Sequence, residues 1–284
     1  MKKFLVLFLI LGLALSFAMA QETGFTVGLE FGMMELDAEG IKNLDAFTDT
    51  NPYLMPMIIY ENSFLNGALD VYAELDYYFG FWDVPKKNSE KGKPMWAYFD
   101  LFLGYNLFLG SASTLSFIVE NEFDPVRVSP WFDDSRNITG IFTPAVKFNQ
   151  TFGFGDLYVM AGAPITYWQL GNKDAETLID LDFTLGWQSP FGLGLEIIER
   201  NCLKPDMDYA GLDVIVSYEN GPVYAEVGVS TTKEIKEDGI TIIPEFDFTF
   251  YRGFTAYLKC AFDGVFADEE DVRFSPALGI KFSF

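Results

Sequence analysis

The chain has 284 residues, half of them hydrophobic and 17% aromatic, with 30 Phe, 14 Tyr and a formal net charge of −22. That charge argues against nucleic acid as a partner, since binding phosphates needs a basic surface, and against electrostatic adhesion to anionic lipid. The sequence has no histidine, which removes Ser-His-Asp and Cys-His catalysis and His-metal sites.

In chain order, the first twenty residues read as a processing signal. Lys2 and Lys3 are a basic start, Phe4 to Phe17 an apolar run, and Ala18-Met19-Ala20 a small-x-small cleavage pattern before Gln21. No Cys follows, so this is not a lipoprotein signal. Residues 1–20 are expected to leave and 21–284 to form one exported domain. Loss of Lys2 and Lys3 takes the charge from −22 to −24, which favours cations or basic ligands as what the protein attracts. Past Gln21 no apolar run is long enough for a transmembrane helix. An exported chain this aromatic can span a membrane with alternating strands instead. The competing reading is a soluble β-sandwich with its aromatics in a core.

The first predicted strand, Gly24 to Met34, puts Phe25, Val27, Leu29, Phe31 and Met33 on one face and Glu30 on the other. A long acidic break, Glu35 to Asn51, follows, with Ile41, Leu44 and Phe47 at helical spacing. The second strand, Pro52 to Glu61, is interrupted or bulged at Pro56, which lacks an amide donor, and a turn is expected over Asn62 to Asn66. The third strand alternates most clearly: Leu69, Val71, Ala73, Leu75, Tyr77 and Phe79 against Asp70, Tyr72, Glu74, Asp76 and Tyr78. Three acids on one face cannot lie in hydrocarbon, so that face meets water.

The second long break, Phe81 to Pro94, holds Lys86, Lys87, Lys91 and Lys93, a basic cluster read as a solvated loop tip. Strand four, Met95 to Leu109, carries Asp100 on its polar face, and strand five, Ser113 to Phe123, carries Ser116 and Glu120. A third long break runs from Asp124 to Ile138. Strand six, Thr139 to Phe152, carries Lys147. Strand seven, Asp156 to Gln169, has a bulky polar face of Tyr158, Met160 and Trp168. Strand eight, Leu178 to Gln188, carries Asp180 and Asp182. Strand nine, Phe191 to Asn201, carries Glu196 and Arg200, strand ten, Tyr209 to Glu219, carries Asp213, and strand eleven, Val223 to Thr232, carries Glu226. Strand twelve, Ile240 to Phe250, carries Glu245 and Asp247, and strand thirteen, Phe254 to Asp263, carries Lys259. Cys202 in a loop and Cys260 on an apolar strand face are expected to remain separate thiols, and no metal-ligand spacing exists.

The last stretch, Val272 to Phe284, reads V-R-F-S-P-A-L-G-I-K-F-S-F. Its apolar residues take one face, while Arg273 and Lys281 take the other. This ending on an aromatic resembles the closing strand of bacterial outer-membrane β-barrel proteins. The resemblance implies that Phe282 and Phe284 are read by the barrel-assembly machinery. It also implies residence in the bacterial outer membrane, with its lipid as partner. The break lengths agree with it: those after odd strands are roughly seven to seventeen residues and those after even strands roughly two to five, as in barrels with short periplasmic turns and longer outer loops.

The fold expected is therefore all-β, a single antiparallel transmembrane β-barrel of about fourteen strands, with twelve as the alternative. It is similar to the small monomeric porin type. Its predicted inward residues are the acids Glu30, Asp70, Glu74, Asp76, Asp100, Glu120, Asp180, Asp182, Glu196, Asp213, Glu226, Glu245 and Asp247, and the bases Lys147, Arg200, Lys259, Arg273 and Lys281. An acidic excess in a pore favours cations. The function expected is a non-enzymatic diffusion channel for small cations and hydrophilic solutes, without a cofactor. A closed barrel serving as adhesin, antigen or structural protein is the alternative. Arg273 and Lys281 are placed to bridge inward acids across the seam with strand one, Glu30 being the nearest.

Overall fold

The computed structural model describes residues 24–33, 52–81, 84–85, 91–92, 95–126, 139–169, 178–203, 211–232, 239–251, 253–267 and 272–283. The predicted signal segment with Ala18 and Ala20, most of the first three long breaks, and Phe284 lie outside them.

The fourteen wall strands are β1 (Phe25–Met33), β2 (Pro52–Phe64), β3 (Leu69–Gly80), β4 (Met95–Phe108), β5 (Ser113–Val126), β6 (Thr139–Phe152), β7 (Gly155–Gly162 and Ile165–Gln169), β8 (Leu178–Ile179 and Asp182–Gln188), β9 (Leu193–Arg200), β10 (Gly211–Asn220), β11 (Val223–Thr232), β12 (Ile240–Tyr251), β13 (Phe254–Val265) and β14 (Arg273–Ser283). Each pairs antiparallel with its chain neighbour. β1 pairs with β14 over Thr26↔Ser283 to Gly32↔Ala277, which closes the barrel. Closure leaves no open edge. No helix among the described residues is long and apolar enough to cross a membrane.

The alternation of the strands fixes what faces where. Phe31, Ile58, Leu75, Leu103, Phe117, Val146, Val159, Leu185, Leu195, Val216, Val227, Phe246, Leu258 and Leu278 are all exposed. They come one from each strand, so an apolar belt runs round the whole outside. In water such a belt would leave unrealised roughly 25 cal/mol for every Å² that could be buried; against hydrocarbon that gain is made. The connections at one end are tight, two to four residues long. Exposed Phe64, Phe152, Phe154 and Phe191 gather beside them, as aromatics do at a membrane–water boundary. The connections at the other end are longer throughout. In the one after β3, Val84–Pro85 pairs with Lys91–Gly92 as a two-residue ribbon.

Three local expectations change, and the interruption expected at Pro56 is met. β2 continues to Phe64, and the turn falls at 65–68, because Leu65 and Asn66 both take left-handed φ values of 56° and 57° while Asn62, Ser63 and Phe64 pair with Val71, Asp70 and Leu69. At Pro56 the ladder to β3 is interrupted without a shift of register, since Leu54↔Phe79 and Met57↔Asp76 lie on the same alignment. β9 begins at Leu193, because Gly192 turns the chain at φ 93° and Ser189 Oγ accepts from the Leu193 amide at 2.8 Å. β7 and β8 are each broken, at Ala163–Pro164 and Asp180–Leu181, where the Asp180 amide donates to the Pro164 carbonyl at 3.0 Å.

Candidate functional site

The polar face of the wall is built by the same alternation, and its organising group is the tyrosine–carboxylate pair. At the seam, Glu30 is 7% exposed. Tyr53 on β2 donates to its Oε1 at 2.6 Å and Tyr257 on β13 donates to its Oε2 at 2.8 Å. Tyr257 reaches Glu30 by lying across Gly279 of β14, which stands between them in register (Tyr257↔Gly279↔Glu30). A Cβ at Gly279 would overlap the ring. Gly32 makes the same room for Tyr53. The arrangement recurs on the opposite wall, where Tyr158 of β7 crosses Gly186 of β8 and donates to Glu196 of β9. Within single strands Tyr72 donates to Glu74 and Tyr224 to Glu226, two residues on. Each phenol thus lies flat against the wall and fixes a carboxylate there, and the buried hydroxyl is satisfied.

The seam ion pair expected between Lys281 and Glu30 is replaced by this arrangement. Both Glu30 oxygens are taken by phenols, and the Lys281 ammonium sits 4.4 Å from the centre of the Tyr257 ring, a cation–π contact. Its charge acts on Asp76, Glu245 and Asp247. Arg273 stands in register with Asp263, to which Thr241 donates at 2.8 Å.

Across β3, β4 and β5 the acids stand in a row, Glu74 opposite Asp100 and Asp100 opposite Glu122. Glu120 follows on β5, and Asp76 on β3. Like charges directly opposite oppose folding, and Asp76 and Asp100 each retain a buried carboxylate oxygen with no hydrogen-bond partner. A second row, Glu226 opposite Glu245, is relieved by Lys259 in register with Glu245. Asp247 lies opposite Tyr224 and Tyr257. Arg200 pairs with Asp213 at 2.8 Å. Lys147 lies 3.8 Å from the centre of the Tyr158 ring. Asp70 accepts from Ser63 and Asn106, each at 2.6 Å.

Asp180 and Asp182 are set apart from these rows. Asp180 is 5% exposed and off the strand; its Oδ1 accepts the amides of Leu181 at 2.7 Å and Leu203 at 2.9 Å. Asp182 accepts the Asn201 amide at 2.7 Å. The two carboxylates hold the chain leaving β9. The residues that sequence reasoning missed are the tyrosines 53, 72, 158, 224 and 257, together with Glu122 and Asp263. Tyr-x-Glu at 72–74 and 224–226 was a usable signal, since a spacing of two shares a face. Cys202 and Cys260 are free, and burial pushes the Cys202 thiol up. Among the described residues no group of three or more His, Cys, Asp or Glu is placed to hold a metal.

No protein-family model matches the chain. No curated protein matches it either. Solved structures similar to it include a triple mutant of the Rhodopseudomonas blastica porin, at 10% identity over 91% of this chain and 99% of that one with a TM-score of 0.44. A fivefold mutant of the same porin aligns at 11% identity over 92% and 99% with a TM-score of 0.45. The KdgM porin aligns at 8% identity over 91% and 99% with a TM-score of 0.42. By its own strand pairing the chain is a closed antiparallel β-barrel of fourteen strands among the described residues, apolar outside and polar within.

Proposed function

We propose that the protein is a bacterial outer-membrane channel that passes small hydrophilic solutes by diffusion and favours cations. The observation that carries this reading is the row Glu74, Asp100 and Glu122, which brings like charges together across three strands. Folding gains nothing from that row. A cation moving past it gains from every member. The tyrosine–carboxylate pairs support the same reading, because they keep bulky rings against the wall and out of the path. Export by the segment 1–20, recognition of Phe282 and Phe284 during assembly, and a monomeric working state belong to this proposal. Phe282 packs on Phe254 with ring centres 4.2 Å apart, which presents the last strand in a fixed form.

The test is single-channel recording on the purified protein in planar lipid bilayers. Discrete, ohmic conductance steps are the expected result. A protein that inserts, shows heat-modifiable gel migration and passes no current is a closed surface barrel, and the channel reading is then wrong.

A further inference from the structure

We propose that the apolar belt is notched at β9, where Glu199 holds water and lipid headgroups of the long-connection leaflet about 10 Å deeper than they stand over β3. The inference rests on the membrane residence in the reading above, not on conduction. Glu199 is on the lipid side of the wall. It stands in register between Phe183 of β8 and Leu212 of β10, which are 46% and 41% exposed, and it is exposed itself. Among the described residues of the fourteen strands it is the one charge on the outward face. Every other acid and base of the strands alternates inward.

The strand that carries it is short. β9 has 8 residues, Leu193–Arg200, fewer than the roughly 9–11 that a tilted strand needs to cross hydrocarbon, and Glu199 is next to its end. β3, on the far side of the barrel, has 12, and its outward row from Leu69 to Phe79 holds no charge. A rise of about 3.3 Å per residue at a tilt of about 40° gives ~2.5 Å of height per residue. Leu69 to Phe79 then spans ~25 Å, the usual height of such a band, while Leu193 to Glu199 spans only ~15 Å.

The shortfall lies at the long-connection end. Exposed Phe64, Phe152, Phe154 and Phe191 mark the boundary at the short-turn end, on the β9 side as elsewhere. On β8 the apolar surface continues past the level of Glu199, since Ile179, beyond the Asp180–Leu181 break, is 54% exposed. The step is therefore local to β9. A bilayer meets a short wall by thinning beside it, and a carboxylate at that height requires water rather than acyl chain. The partner that fits this surface is a hydrated headgroup layer drawn down against the wall.

Spin-label accessibility of the full protein in dioleoylphosphatidylcholine vesicles tests this. Cys202 and Cys260 are free, so both are first replaced by serine. One nitroxide is placed at Ile197→Cys and another at Ala73→Cys, each four residues along its strand from the first outward residue, Leu193 or Leu69. The collision rate with nickel-EDDA, which stays in water, is expected to be at least threefold higher at 197 than at 73, with oxygen collisions dominant at 73. Adding Glu199→Leu is expected to lower the nickel rate at 197 at least twofold and to leave 73 unchanged. Heat-modifiable migration verifies folding; if the leucine variant does not fold, Glu199→Gln is read in its place, with the same direction expected. Low nickel rates at both labels, or a rate at 197 unmoved by loss of the charge, overturn the notch alone. High nickel rates at both labels place the whole wall in water and overturn the membrane reading with it.

Discussion

Replacement of Gly279 by alanine tests the seam most sharply. The new Cβ would overlap the Tyr257 ring, which is 3% exposed and packed against the wall. The backbone of β14 is paired on both sides, so the ring is what moves, inward. It then loses its 2.8 Å hydrogen bond to Glu30, a bond to a charged group worth about 1.5–3 kcal/mol. The Lys281 contact at 4.4 Å goes with it, about 0.5–1 kcal/mol. Against this, alanine in a strand is better than glycine by roughly 0.5–1 kcal/mol. The net expectation is a destabilisation of about 1–3 kcal/mol, read by reversible denaturant unfolding of the barrel in lipid or detergent. Tyr257→Phe, which removes only the hydroxyl, should lose about 1.5–3 kcal/mol by itself. In a Tyr257→Ala background, Gly279→Ala should be neutral or slightly stabilising, since no ring remains to displace. A Gly279→Ala protein as stable as the parent, or one equally damaged in the Tyr257→Ala background, refutes the argument that the glycine exists to seat the ring.

Other expectations follow from the remaining contacts. Asp100→Asn relieves the charge row on both sides; it should leave stability unchanged or raise it by about 0.2–1 kcal/mol while lowering cation preference in bilayer recordings. Leu185→Arg, on the exposed belt, should destabilise the barrel by about 2–4 kcal/mol if Leu185 lies near the bilayer midplane, whereas the inward Thr184→Arg should fold and reduce conductance. Asp180→Ala strips the acceptor from the Leu181 and Leu203 amides. It should cost about 1–3 kcal/mol and speed hydrogen exchange at Leu203, with the barrel otherwise closed.

The barrel was legible because one physical constraint repeats fourteen times: a wall with lipid on one side and water on the other imposes a period of two. Where a strand obeyed only that constraint, as over Thr139–Phe152 and Val223–Thr232, its bounds were readable to the residue. Asn62-Ser63 looks like a turn, yet both pair with β3, because the turn is made by left-handed Leu65 and Asn66. Asp180 shares parity with Asp182, which suggested the lumen; Pro164 and the needs of unpaired amides in the outer chain claimed it instead. The tyrosine anchors were hidden because each spans a strand. Tyr257 and Glu30 are 227 residues apart, and only barrel closure through Gly279 joins them.

The central claim is that an acidic lumen makes this barrel a cation-favouring pore. Its most direct measurement is the zero-current potential of the inserted protein across a KCl gradient. The sign expected is that of K⁺ moving faster than Cl⁻, and it should shrink toward zero in a Glu74→Gln, Asp100→Asn, Glu122→Gln protein. A potential of the opposite sign, or one unmoved by removal of the row, contradicts the account.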